Sequence, residues 1–142
     1  MEYDLLIRNG TIIDGSGAPR RRADVAVKDR RIAALLEPTE GAQASAARGI
    51  DASGMIVAPG FIDLHSHSDW IAPIPEHGSI LRPFLRQGVT TFVGGNCGFS
   101  VAPVHLGKTR MLDASGQMLS ERKLDWKWNS VGEYGAHLKR QG

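Results

Sequence analysis

The chain has 142 residues, 42% of them hydrophobic and 23% charged, with a formal net charge of +2. That balance is globular and excludes a disordered tract or a collagen-like fibre. No apolar run reaches the roughly 18–20 residues of a membrane span, and Met1-Glu2-Tyr3-Asp4 is not the basic opening of a secretory leader. A single cysteine, Cys97, can form no internal disulfide and suits a reducing compartment. The expectation is therefore a cytoplasmic protein with no membrane partner. The one dense basic run, Arg20-Arg21-Arg22, lacks interleaved aromatics and is expected as a solvated loop, which leaves nucleic-acid binding without support.

In chain order, residues 3–37 read as a β-meander. Tyr3 to Arg8 is an apolar strand, Asn9-Gly10 a two-residue hairpin turn, and Thr11 to Asp14 the returning strand. Asp24 to Lys28 alternates cleanly, Asp29-Arg30 is the next tight turn, and Arg31 to Leu36 pairs back. Arg30 stands there in a position where glycine would relieve a positive φ. Residues 38–49, rich in Ala, Gly, Ser and Gln, suit a loop or a short weak helix. Ile50 to Ala52 and Met55 to Ala58 then suggest a short hairpin around Ser53-Gly54. This small sheet has a thin hydrophobic face and calls for further strands to complete it.

At Pro59-Gly60 the rhythm changes to strand, helix, strand. The stretch 61–67 is expected as a strand, and Ile80, Leu81, Phe84 and Leu85 form a helical stripe ending at Gly88, with Pro83 acceptable only in a first turn. Val89 to Val93 is β-branched and apolar almost throughout, as in a parallel strand buried on both faces. A β-α-β unit places the ends of both strands on one C-terminal edge. Further on, Phe99 to Leu106 is apolar and 112–123 is a polar loop with one helical turn. Ser130 and Glu133 form a capping box opening a helix through Arg140, with Val131, Tyr134 and Leu138 on one side.

The candidate chemistry sits at that edge. His65 and His67, at i and i+2 of a strand, share a face, with Asp63 behind them; two neutral imidazoles converging on one point make half of a metal site. His-x-His alone is a common and weak signal, and its place at the end of a parallel strand strengthens it. Cys97 lies among glycines at the end of the adjacent strand. It reads as a buried apolar thiol, a nucleophile still lacking a base, or a third ligand that would complete an open site for a borderline-soft ion such as Zn²⁺.

With these residues in view a resemblance emerges. "VAPGFIDLHSHSD" followed by "QGVTTFVGGNCGFSVAP" resembles the metal-dependent amidohydrolase superfamily, and within it the N-acyl-D-amino-acid deacylase (D-aminoacylase) branch. "DLLIRNGTIIDGSG" and "ADVAVKDRRIAAL" are similar to that family's opening strands, and "WKWNSVGEYGAHL" to the segment before its third barrel strand. The resemblance implies an α/β fold: the start of a (β/α)₈ TIM-like barrel, residues 59–142, preceded by residues 1–58 as strands of a composite β-sandwich, both incomplete in this chain. A barrel takes about 250 residues.

The same resemblance implies one or two zinc ions. His65 and His67 match the first-strand histidines that bind the more exposed metal position. Cys97 matches the cysteine that replaces the usual bridging carboxylated lysine or glutamate and holds the tighter zinc. Asp63, Asp69 and Asn96 are expected to orient these ligands rather than to react. The family's later histidines and its aspartate general base have no counterpart here; the base is expected beyond Gly142, and residues 1–142 alone are expected to be inactive. His77, His105 and His137 do not match the later ligands and are expected on the surface or in loops. The substrate implied is an N-acyl-D-amino acid, hydrolysed to a carboxylate and a D-amino acid. Two alternatives stand beside it: a cyclic-amide amidohydrolase of the hydantoinase or dihydroorotase type, against which Asn96-Cys97-Gly98 argues, and a non-catalytic metal-binding module.

Overall fold

The structure is a computed structural model that describes residues 2–119 and 123–141. The chain divides into two compact units, Met1–Pro59 and Gly60–Gly142.

The first unit holds β1 (Glu2–Arg8), β2 (Thr11–Ile12), β3 (Arg21–Arg22), β4 (Asp24–Lys28), β5 (Arg31–Leu36), α1 (Pro38–Gln43), β6 (Ser45–Asp51) and β7 (Ile56–Val57). They form two sheets, ordered β5-β4-β1-β6 and β3-β2-β7. The expected hairpin across Asp29-Arg30 is present, and both turn residues adopt positive φ, 50° and 62°. Two non-glycine residues in that region mark a turn imposed by the pairing on either side of it.

Several expectations are corrected here. Asn9-Gly10 is not a hairpin turn: β1 and β2 belong to different sheets, and Asn9 (φ 63°) bends the chain from one to the other. Nor is Ser53-Gly54 a hairpin, because β6 lies parallel to β1 while β7 lies parallel to β2. The two bends run side by side. Ala52 N–H donates to Arg8 O (2.8 Å), Asn9 Nδ2 to Asp51 Oδ1 (3.0 Å) and Thr11 N–H to Met55 O (3.0 Å). A short-range turn signal cannot tell a reversal from a crossing between sheets, since the backbone at the bend is alike in both. The result is a mixed sheet instead of a meander.

Arg21–Arg22, expected in a loop, forms a two-residue strand on β2 and stays exposed. Residues 45–49, expected outside any strand, belong to β6, where alanine, glycine and serine follow the β1 ladder despite weak strand propensity. Ile12, Ala23 and Val25 are the buried centre of this unit, flanked by Ile7, Val27 and Val57.

The second unit opens with β8 (Phe61–Asp63), paired in parallel with β9 (Val89–Phe92). Gly60 is confined by Thr90, whose side chain occupies the space a Cβ would need. The expected single helix between the strands is two short ones, α2 (His77–Ile80) and α3 (Arg82–Arg86); the break puts Pro83 in the first turn of α3, where its missing N–H costs nothing. Gly88, at φ 84°, ends α3 in the left-handed conformation that favours glycine. β9 is not buried on both faces: Thr90 and Thr91 are exposed, as are Phe61 and Ile62 of β8.

The core of this unit is aromatic and lies away from the strands. Trp70, Ile74, Val101, Val104, Leu124 and Trp128 form it, with Leu112, Trp126 and Tyr134 packed against it from α4 (Arg110–Gly116), the following segment and α5 (Val131–Gln141). The capping box at α5 forms as expected: Glu133 N–H donates to Ser130 Oγ (3.2 Å) and Ser130 N–H to Glu133 Oε2 (3.1 Å). In the stretch expected as a polar loop, α4 supplies the helix, and residues 120–122 lie outside the described residues. Every indole N–H finds an oxygen: Trp70 on Phe99 O, Trp128 on Val101 O and Trp126 on Asp113 Oδ1, each at 2.7 Å. A buried indole left unpaired would be costly.

Candidate metal centre

β8 ends at Asp63, so His65 and His67 stand in the loop beyond it and do not share a strand face. Hydrogen bonds set their placement. Val93 N–H donates to Asp63 O (2.8 Å) and Ser66 N–H to Val93 O (3.2 Å), which carries the pairing with β9 past the end of the strand. Asp63 Oδ1 accepts the N–H of His65 (3.1 Å), a local turn of the kind aspartate favours. Ser66, buried between the histidines, accepts the N–H of Ser68 (3.0 Å) and donates its hydroxyl to Ser68 Oγ (2.7 Å). The chain then enters a 3₁₀ turn, Ser68–Trp70.

On the neighbouring loop Cys97 has φ 57°, between Gly95 and Gly98 at 77° and 78°. Three residues with positive φ within four positions fold the chain tightly back and turn the thiol outward. Asn96 Nδ2 donates to Val93 O (2.7 Å) and to Ser66 O (3.1 Å), so one amide side chain stitches the two loops together. Gly95 N–H donates to Asp69 Oδ2 (2.9 Å), and the Asp69 side chain fills the space a Cβ on Gly94 would need.

The outcome is a cluster. One candidate ligand atom each from His65, His67 and Cys97 lies within 4.8 Å of the others, and His65 Nε2 is 3.1 Å from Cys97 Sγ. The rings of His65 and His67 meet edge to face at 5.9 Å, and Phe99 closes the far side of His67 in the same way. His65 and Cys97 are exposed and His67 half-buried. His67 Nδ1 is buried with no hydrogen-bond partner among the described residues. Two imidazoles and a thiol at this spacing suit a zinc-like ion with an open coordination position.

Asp69 is almost fully buried, and burial raises its carboxyl above the usual range, only partly opposed by the N–H of Gly95. Tyr134 donates its hydroxyl to Asp69 O (2.9 Å); burial first, then the nearby negative charge of Asp69, push its phenol well upward, so it remains a donor at any ordinary pH. Sequence reasoning singled out Asp63, Asp69 and Asn96 but missed Ser66, Trp70, Phe99 and Tyr134. Trp70 follows the motif directly, and only its buried N–H reveals its reach to Phe99 O. Of the remaining histidines, His105 is exposed in a loop and His77 opens α2. His137, expected on the surface, is instead half-buried on α5 with its ring 5.0 Å from that of Trp128. None of the three joins the cluster.

Geometry of this kind defines a class, a candidate metal centre at the C-terminal edge of parallel strands, and comparison with known proteins narrows it. No protein-family model matches the chain. It is 43% identical over 133 residues to a D-aminoacylase of Alcaligenes xylosoxydans xylosoxydans, covering 87% of the chain and 25% of that protein. An N-acyl-D-glutamate deacylase of the same organism is 48% identical over 105 residues, 74% of the chain and 20% of the relative. The crystal structure of the Bordetella Bronchiseptica N-acyl-D-glutamate deacylase, complexed with zinc and a phosphonate inhibitor, superposes with a TM-score of 0.79 at 44% identity, over 99% of the chain and 27% of that structure. The chain thus spans about a quarter of the length of the relatives it matches. It belongs to the D-aminoacylase subset of the amidohydrolases.

Proposed function

We propose that His65, His67 and Cys97 hold one or two zinc ions, and that the protein containing this chain hydrolyses the amide of an N-acyl-D-amino acid to a carboxylate and a D-amino acid. The observation that carries this reading is the convergence of three ligand atoms, from loops 32 residues apart in sequence, within 4.8 Å. The donor set fits zinc, and the buried, orphaned Nδ1 of half-buried His67 marks a ring whose environment is unfinished without a bound species. The zinc complex of the deacylase relative supports the choice of metal.

When bound, zinc polarises an acyl carbonyl and makes water a better nucleophile at neutral pH. The chain's own residues hold the ligands. Asp63 fixes the backbone at His65, while Asn96 and Asp69 fix the Cys97 loop against Ser66 and the 3₁₀ turn. The backbone N–H groups of His65 and Gly95 bind one oxygen each of Asp63 and Asp69, which ties both carboxylates to the loops that carry the ligands. In this reading, which follows the likeness to the D-aminoacylases, the general base lies in a part of the polypeptide outside residues 1–142, as do further barrel strands and the strands that would complete the first unit's sheets. Residues 1–142 alone are expected to show no turnover.

The test is hydrolysis of N-acetyl-D-amino acids and their L-enantiomers by the whole protein, stripped with chelator and reloaded with zinc. Zinc-dependent release of the D-amino acid alone is the expected result. Cleavage of a cyclic amide with no action on N-acyl-D-amino acids would favour the hydantoinase-type alternative. Zinc binding without turnover of either substrate would favour the non-catalytic module.

A further inference from the structure

We propose that Trp70 and Tyr134 are positioning residues for the metal site, presetting Cys97 and His67 through Phe99 and Asp69. The proposal rests on the metal-site reading above and assigns these two aromatic residues a part in it.

The Cys97 loop has little of its own to hold it in shape. Cys97 sits in the left-handed region, and the glycines on either side are free to leave it. Three hydrogen bonds tie this loop to the segment 66–70: Asn96 to Ser66 O, Gly95 N–H to Asp69 Oδ2, and Trp70 Nε1–H to Phe99 O. Two of the three come from the adjacent residues Asp69 and Trp70 of a single 3₁₀ turn.

That turn is itself fixed from the core. Trp70 is 2% exposed, packed against Gly116 and edge to face with Trp126, while Tyr134 on α5 donates to the carbonyl of Asp69. Phe99 then serves both ligand loops. Its carbonyl is held by Trp70, its N–H donates to Asn96 O (2.9 Å), and its ring closes on His67. A shift of Phe99 therefore moves the surroundings of His67 and Cys97 together. Trp126 meets Trp70 ring to ring, a contact of a kind that phenylalanine keeps, and its indole N–H goes to Asp113 rather than to a carbonyl of the Cys97 loop, so Trp126→Phe removes a hydrogen bond of the same core without removing one that holds Phe99 or Asp69.

The experiment compares the purified protein with Trp70→Phe, Tyr134→Phe and the control Trp126→Phe. Cobalt(II) is titrated into metal-free protein while the thiolate-to-cobalt absorption band is followed, and the rate of Cys97 alkylation by iodoacetamide is measured without metal. Trp70→Phe and Tyr134→Phe are expected to weaken cobalt binding by at least about tenfold, to alter the band and to change the alkylation rate, with Trp126→Phe matching the parent. Parental affinity, band and alkylation rate in both test variants would overturn the proposal. So would an equal effect from Trp126→Phe, which would reduce the role to general core stability. Should Trp70→Phe fail to fold, Tyr134→Phe, lacking one oxygen, decides alone. If the parent gives no thiolate–cobalt band, the metal reading falls, and alkylation by itself decides positioning: a changed rate in the test variants but not the control supports it, and unchanged rates overturn it.

Discussion

The two units of this chain are held together in different ways. In Met1–Pro59 the main chain carries the structure: two mixed sheets and a pair of bends in register, around a small cluster of Ile12, Ala23 and Val25. Among the described residues of Gly60–Gly142 only two short strands pair, and side chains carry the structure through buried indoles that reach loop carbonyls and through Asn96 and Asp69, which bind backbone across loops. All candidate ligands are in the second unit. A loop held by side chains can present a cysteine at positive φ, a conformation that a strand ladder would forbid.

The sharpest way to probe this division is at the ligands. Cys97→Ser is expected to weaken zinc or cobalt binding by more than the roughly 10–100-fold typical of losing a supporting residue, measured by competition with a chromophoric chelator, and to leave the far-UV spectrum of the first unit's sheets unchanged. Gly116→Ala comes next. Its Cβ would enter the ring of Trp70, an overpacking costing about 1–3 kcal/mol, and because Trp70 holds Phe99, metal affinity should fall along with the urea midpoint.

Gly41→Ala is the counterpart in the first unit. There the new Cβ would meet the buried carboxylate of Asp24, again at about 1–3 kcal/mol, but metal affinity should stay at the parental value. Equal losses of metal affinity in the Gly41 and Gly116 variants would break the comparison.

The smallest effect is expected at Glu133. The N–H groups of Asn129 and Ser130 hold its exposed carboxyl below the usual range. A depressed folded pKa gives stability that is present above the ordinary carboxylate pKa and is lost as pH falls through the folded value. The parent's thermal midpoint should therefore drop more steeply than that of Glu133→Gln on acidification below about pH 4, which a melting series across acid pH checks.

How far the sequence reveals this arrangement follows the same division. The Asp29-Arg30 hairpin and the Ser130–Glu133 cap rest on local chemistry, and the β8–β9 pairing on the strand-helix-strand order, so all three are legible in it. The crossings at Asn9-Gly10 and Ser53-Gly54 are not, since their meaning depends on which distant strand accepts the next hydrogen bond. Strand β6 is hidden because Ser45, Ala46, Ala47 and Gly49 pair only under the direction of β1. At the site, the residue types and their order point to His65, His67 and Cys97, but the supposed reason, a shared strand face, is replaced by a loop stitched by Asn96 and Asp69. The part played by Trp70 is invisible beforehand, since a tryptophan after a His-x-His motif looks the same whether its N–H meets water or a loop carbonyl.

The most direct test of the central claim is X-ray absorption at the zinc edge on the protein reconstituted with zinc. One sulfur at about 2.3 Å with nitrogen scatterers at about 2.0–2.1 Å, the sulfur signal vanishing in Cys97→Ser, is the predicted result. Zinc surrounded only by nitrogen and oxygen, with the same spectrum in both proteins, would contradict a site shared by His65, His67 and Cys97.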